Sequence, residues 1–142
     1  MTARKPDFET YDHTADIGLV ARGATLEALF VNAARGMFTI LAGDVEAKPL
    51  RSLDVEVQAA DREALLVAWL NELLFHFETK RIVFGRFDVR ELTDVRLRAA
   101  VAGQSIDDLR APLEMELKAA TYHGLRISQT PDGWEAAVLF DV

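Results

Sequence analysis

Hydrophobic positions along the chain follow two periods. From Thr25 onward, Leu26, Leu29, Phe30, Ala33, Ala34, Met37, Phe38 and Leu41 recur at i, i+3 and i+4, which predicts a helix with one apolar stripe. Thr25 can cap it with its hydroxyl, Glu27 sits where the helix dipole favours negative charge, and Gly43 is placed for a left-handed stop. After Asp61, a second cap candidate, Leu65, Leu66, Trp69, Leu70, Leu73, Leu74 and Phe77 repeat the pattern. This Trp and Leu stripe reads as core rather than as a ligand groove.

The remaining apolar residues alternate with period two. Leu53, Val55 and Val57 interleave with Asp54, Glu56 and Gln58, and Val95, Leu97, Ala99 and Val101 interleave with Arg96 and Arg98, as in strands with one buried and one wet face. Residues 87–92 read as a partner strand. Leu113, Met115, Leu117 and Ala119 stand opposite Glu114, Glu116, Lys118 and Ala120 in another, after which His123-Gly124 is expected to turn the chain into a short strand at 125–129. Thr130-Pro131-Asp132-Gly133 is hairpin chemistry leading into a last strand at 134–140. Residues 104–112 read as a long surface loop or short helical turn. The order is strand, helix, strand, helix, then a run of strands. This is an α+β fold in which two amphipathic helices pack on a largely antiparallel or mixed β-sheet.

Composition fits that picture. The 142 residues, half of them apolar and 27% charged, suit a single domain spanning residues 1–142, without repeat or linker. No apolar run approaches the roughly 20 residues of a bilayer-crossing helix, and Lys5, Pro6, Asp7 and Glu9 break up any secretory core, so a cytoplasmic protein is expected. The absence of cysteine excludes disulfides, zinc-thiolate sites and thiol nucleophiles. With 16 Lys and Arg against 23 Asp and Glu, the net charge of −7 disfavours binding bare nucleic acid. The chain contains neither GxGxxG nor GxxxxGK[ST], and no GxSxG elbow. A dehydrogenase, a phosphate-loop NTPase and a serine hydrolase of that type are thereby disfavoured.

Candidate chemistry gathers at the two chain ends. Asp12, His13, Thr14 and Asp16 precede Ile17-Gly18. They either shape the turn after a first strand, or Asp16 offers an anionic oxygen to a hard cation such as Ca²⁺ or Mg²⁺ while His13 orients or relays protons. Asp141 followed by Val142 sets a side-chain carboxylate beside the terminal one, directly behind an apolar strand that should hold both near the sheet. Pinned carboxylates repel unless a cation or base compensates them. His76, at the margin of the second helix's stripe, reads as a core-edge histidine. Across 80–98, Lys80, Arg81, Arg86, Arg90, Arg96 and Arg98 outnumber Asp88, Glu91 and Asp94, either as a solvated strand face or as a patch for RNA or a partner.

These motifs together resemble the archease family. The resemblance rests on His13-Thr14-Ala15-Asp16-Ile17-Gly18, on the Thr25-Leu26-Glu27 helix start with Ala33-Ala34 inside it, and on the run from Leu65 through Trp69-Leu70-Asn71-Glu72 to Phe75. It continues in Leu117-Lys118-Ala119-Ala120-Thr121-Tyr122-His123 and in the ending Asp141-Val142. It covers nearly the whole chain from Tyr11, with about 82–112 anonymous. Ala28, Ala120 and Val142 depart from residues common in the family, and none of these changes removes an oxygen ligand.

The resemblance implies a non-enzymatic protein that assists an RtcB-type RNA ligase. Such a protein promotes guanylylation of the ligase's active-site histidine and supports multiple turnover in tRNA splicing or RNA repair. It further implies a divalent metal, calcium first with Mg²⁺ or Mn²⁺ as alternatives, held by Asp16, Asp141 and an oxygen of Val142. Lys118 matches a position tied to ligase activation, and His13 and His123 of the matching motifs join it on the partner side. No nucleotide is expected on this chain alone, and RNA is met only through the ligase. A chaperone-like role toward a tRNA methyltransferase is a further implication. The competing classes are a metal-dependent hydrolase or lyase using His13 and Asp16, which needs a closed pocket, and an RNA-binding module using 80–98.

Overall fold

The computed structural model describes residues 5–13, 16–110 and 112–142. Strands β1 (Phe8–His13) and β2 (Asp16–Gly23) lead into helix α1 (Leu26–Ala42), followed by β3 (Arg51–Gln58) and helix α2 (Arg62–Lys80). Then come β4 (Ile82–Leu92), β5 (Arg96–Ser105), the single turn α3 (Ile106–Leu109), β6 (Ala119–Thr130) and β7 (Gly133–Asp141). Both long helices begin as their caps require, the Thr25 hydroxyl accepting from the Ala28 N–H at 3.1 Å and Asp61 from the Ala64 N–H at 2.8 Å. Gly43 ends α1 at φ 76°, a conformation an L side chain rarely adopts.

The strands form two antiparallel sheets, one ordered β1-β2-β7-β6 and the other β3-β5-β4. Helix α1 packs on β1, β2 and β7 and reaches β4, while α2 packs on β6 and on all three strands of the second sheet. The helices thus join the sheets through one hydrophobic core containing Trp69, Phe30, Phe84, Phe140 and Leu19. Three side chains tie main chain across this core. Trp69 Nε1 donates to the Phe30 carbonyl at 3.0 Å, Asn32 Nδ2 to the Arg22 carbonyl at 2.7 Å, and the Asn71 amide binds Ala120 at both its N–H and C=O. Such bonds satisfy polar groups that burial would otherwise leave without partners.

The structure departs from the sequence expectation in several places. Two strands, not one, precede α1, and the sheet is two sheets. Residues 113–118 lie outside any strand despite their alternation, leaving Leu113 and Met115 exposed and Leu117 buried. Ala120, expected on the wet face with Lys118, is buried instead. His123-Gly124 is not a turn. Gly124 takes φ 65° within a continuous β6, and the β6–β7 register shifts between Thr121 and Arg126, so the glycine accommodates a bulge. Within 104–112, the expected helical turn is α3; Ala111 of that stretch lies outside the described residues, as do Thr14 and Ala15 of the N-terminal motif.

Candidate functional site

One row across the four-stranded sheet brings together residues from both chain ends. His13 pairs with Asp16, Asp16 with Asp141, and Asp141 with Ala119. Directly opposed residues of antiparallel strands project to the same face, so the Asp16 and Asp141 carboxylates share one side of the sheet. Asp16 is partly buried and Asp141 exposed. The Lys118 N–H donates to the Asp141 carbonyl at 2.9 Å, which sets this exposed lysine against the end of β7. Val142 follows, 45% exposed. The next row on the same face, two positions along, runs Tyr11, Gly18, Leu139, Thr121, with the Thr121 hydroxyl donating to the Leu139 carbonyl at 3.2 Å.

Asp16, Asp141, Val142 and Lys118 therefore converge, with His13 in the same register row. His123 does not share it; it is exposed in the bulged part of β6, past Thr121. Sequence reasoning passed over Asn71, which binds the main chain of β6 beside Lys118. The available signal was a lone amide in the helical run between Leu70 and Leu73.

The donor set suits a hard cation in kind, because two carboxylates supply anionic oxygens. It does not close a coordination shell by itself. Among the described residues no group of three or more His, Cys, Asp or Glu side chains is placed to hold a metal ion. Further oxygens would have to come from the main chain near Val142 or from a bound partner.

Elsewhere the charges are largely spent on one another. Arg96 lies 2.8 Å from Glu56, Arg90 3.1 Å from Asp88, and Arg98 3.6 Å from Glu91, so much of the 80–98 basic stretch is paired with acids on the second sheet. His76 sits between Glu72, at 3.1 Å, and Lys80, at 3.3 Å, on the margin of α2 as the sequence suggested. Glu135 accepts from Arg22 Nε and Arg126 Nη2, each at 3.0 Å. Burial alone would raise its carboxyl pKa, and the hydrogen bonds from Arg126 and Arg22 outweigh burial and hold it below the ordinary value of 4.5. Arg22 also donates to Glu9 at 2.8 Å, the main cause of its raised pKa.

Two cavities lie elsewhere, of about 640 Å³ over β3, β4 and β5 and about 200 Å³ between α1 and the start of β4. Neither Asp16 nor Asp141 lines them; on their shared sheet face Asp141 is exposed and Asp16 partly buried. No helix among the described residues is long and apolar enough to cross a membrane.

Two antiparallel sheets joined by two helices, with an acid pair where β2 begins and β7 ends, define a small α+β protein whose candidate chemistry includes the exposed Asp141, Val142 and Lys118. The model of the archease protein family (MTH1598/TM1083) matches residues 8–142, and the chain belongs to this family. It is 38% identical to the protein archease of Methanosarcina barkeri, with all of both chains covered. It is 40% identical to that of Thermococcus gammatolerans, covering 95% of this chain and 98% of the relative. The solution structure of Methanobacterium thermoautotrophicum protein 1598 superposes with a TM-score of 0.74 at 34% identity, over 96% of this chain and 99% of that one. A crystal structure from Thermotoga maritima, described as an archease and possible chaperone, shares the fold with a TM-score of 0.64 at 22% identity, covering 100% and 99%.

Proposed function

We propose that this chain is a non-enzymatic accessory protein of an RtcB-type RNA ligase, promoting guanylylation of the ligase's active-site histidine and its multiple turnover in tRNA splicing or RNA repair. The observation that carries the reading is the register of β2 and β7, which sets Asp16 opposite Asp141 on one face of the sheet while a main-chain bond holds Lys118 against Asp141. Membership of the archease family, whose model matches residues 8–142, supports it.

Guanylylation moves a phosphoryl centre whose negative charge must be neutralised and positioned. Lys118 offers an ammonium to a phosphate oxygen or to a carboxylate of the ligase site. Asp16 and Asp141, with an oxygen of Val142, would hold a divalent cation, calcium first with Mg²⁺ or Mn²⁺ as alternatives; bound, it supplies charge to a phosphate oxygen. The exposure of Asp141, Val142 and Lys118 suits presentation to a protein surface better than enclosure of a small substrate. The net charge of −7 and the pairing of the 80–98 arginines favour contact with protein over contact with bare RNA.

The test is transfer of label from α-labelled GTP to an RtcB-type ligase as this protein is titrated in, with and without chelator, beside the Asp16→Ala variant. Label should accumulate faster on the ligase and not on this chain, and both chelator and Asp16→Ala should remove the effect. Full stimulation by a folded Asp16→Ala protein would sink the reading.

A further inference from the structure

The start of β6 has little regular strand pairing. Residues 112–118 before it belong to no element, and beyond Thr121 the register with β7 shifts, so regular pairing at this end covers only Ala119 to Thr121. Strand β6 is also an edge strand. In an antiparallel ladder, hydrogen-bonded and non-hydrogen-bonded positions alternate, and at the latter the N–H and C=O point away from the partner strand. At Ala120 both groups are taken by one side chain of α2. The Ala120 N–H donates to Asn71 Oδ1 at 2.8 Å, and Asn71 Nδ2 donates to the Ala120 carbonyl at 3.2 Å. The Asn71 amide thus replaces a missing neighbouring strand at one point.

We infer that Asn71 is a positioning residue for ligase activation, its two-point clamp on Ala120 fixing where Lys118 stands beside Asp141. The inference rests on the proposed role of Lys118. The geometric argument for it is direct. Lys118 is two residues from the clamp, and its own N–H is bonded to Asp141. Leu117 and Ala120 anchor the segment in the core, and the two Asn71 bonds fix its main chain at that anchor, between an irregular stretch and a bulge. An exposed lysine on a long flexible stem is useful only where its backbone origin is fixed.

Asn71→Leu removes both bonds and keeps a residue suited to a helix. Amide hydrogen exchange then reads the clamp directly, by comparing Lys118 and Ala120 with Leu97 and Val101 in the other sheet. Exchange at the first pair should accelerate about tenfold or more with the second pair unchanged, since local opening is separable from global unfolding. Ligase stimulation at saturation should fall about tenfold, and in the double variant Asn71→Leu should add nothing to the loss that Lys118→Ala causes. Unchanged exchange at Lys118 overturns the inference. So does full stimulation by a loosened Asn71→Leu protein while Lys118→Ala alone is inactive. Should Asn71→Leu fail to fold, Asn71→Asp decides. It keeps the shape and the acceptor for the Ala120 N–H and loses the donor, so Lys118 exchange should rise with Leu97 unchanged, and no rise overturns the clamp. Full stimulation by Lys118→Ala is a separate result that refutes the proposed function, whatever the exchange data say.

Discussion

The ring of Tyr11 lies over Gly18, its direct cross-strand partner, and fills the space that a side chain at position 18 would need. An aromatic ring covering a glycine in a strand pair shields the exposed main chain and compensates for the missing side chain. Because Gly18 is two residues from Asp16, the ring also braces the strand end that carries the acid pair. Gly18→Val must expel the ring, and the cost should be about 1–3 kcal/mol, as for overpacking elsewhere. Urea unfolding measures it. A variant as stable as the parent would show that Tyr11 moves aside freely and braces nothing.

The helices were legible because period and cap agreed at each, with Gly43 as a stop for α1, and the bonds that Thr25 and Asp61 accept bear out the caps; α2 ends at Arg81 in the left-handed region, with no glycine to announce it. Strand β2 was harder to read. Its inward residues Ile17, Leu19 and Ala21 alternate with Asp16, Gly18, Val20 and Arg22, and Gly18 and Val20 blur the polar face, Gly18 lying under the ring of Tyr11. The reverse error occurred at 113–118, where alternation was perfect and no strand formed. Alternation marks a face only if a neighbouring strand exists to pair with, and here pairing begins at Ala119. The site was legible at its chain ends through motifs alone. Their meeting depends on the β2–β7 register, which no local pattern encodes.

That register makes a second expectation. Like charges directly opposite in a ladder are destabilising by about 0.2–1 kcal/mol. Asp141→Asn removes one charge of the pair while keeping the shape and the main-chain bond to Lys118. Thermal unfolding should show unchanged or slightly raised stability, and guanylylation of the ligase should lose its stimulation. A clear loss of stability would assign Asp141 a structural role.

Lys118 separates its side chain from its main chain. The bond to Asp141 is made by the N–H, which alanine retains, and the side chain is exposed. Lys118→Ala should therefore alter stability by less than about 0.5 kcal/mol, as surface substitutions do. Stimulation of the ligase should nevertheless fall. A large drop in melting temperature with stimulation preserved would reverse the assignment.

Glu135 carries a pH signature. It is clasped by Arg22 and Arg126, with its pKa held below 4.5 in the folded chain. A carboxyl whose folded pKa lies below its unfolded value contributes stability that is fully present above the unfolded pKa. That contribution is lost as the pH falls through the folded pKa. Glu135→Gln should cost on the order of 1 kcal/mol near pH 7, since it removes the charge from two hydrogen bonds in a partly exposed setting. The parent loses the same charge on acidification, so the two stability curves should converge below pH 4.5, where the parent's carboxyl becomes protonated. Urea unfolding of both proteins across about pH 7 to pH 3 measures the gap. A gap that stays constant over that range would mean that the clasp depends on shape and hydrogen bonding alone, and that the charge of Glu135 adds nothing to holding β2 and β6 on either side of β7.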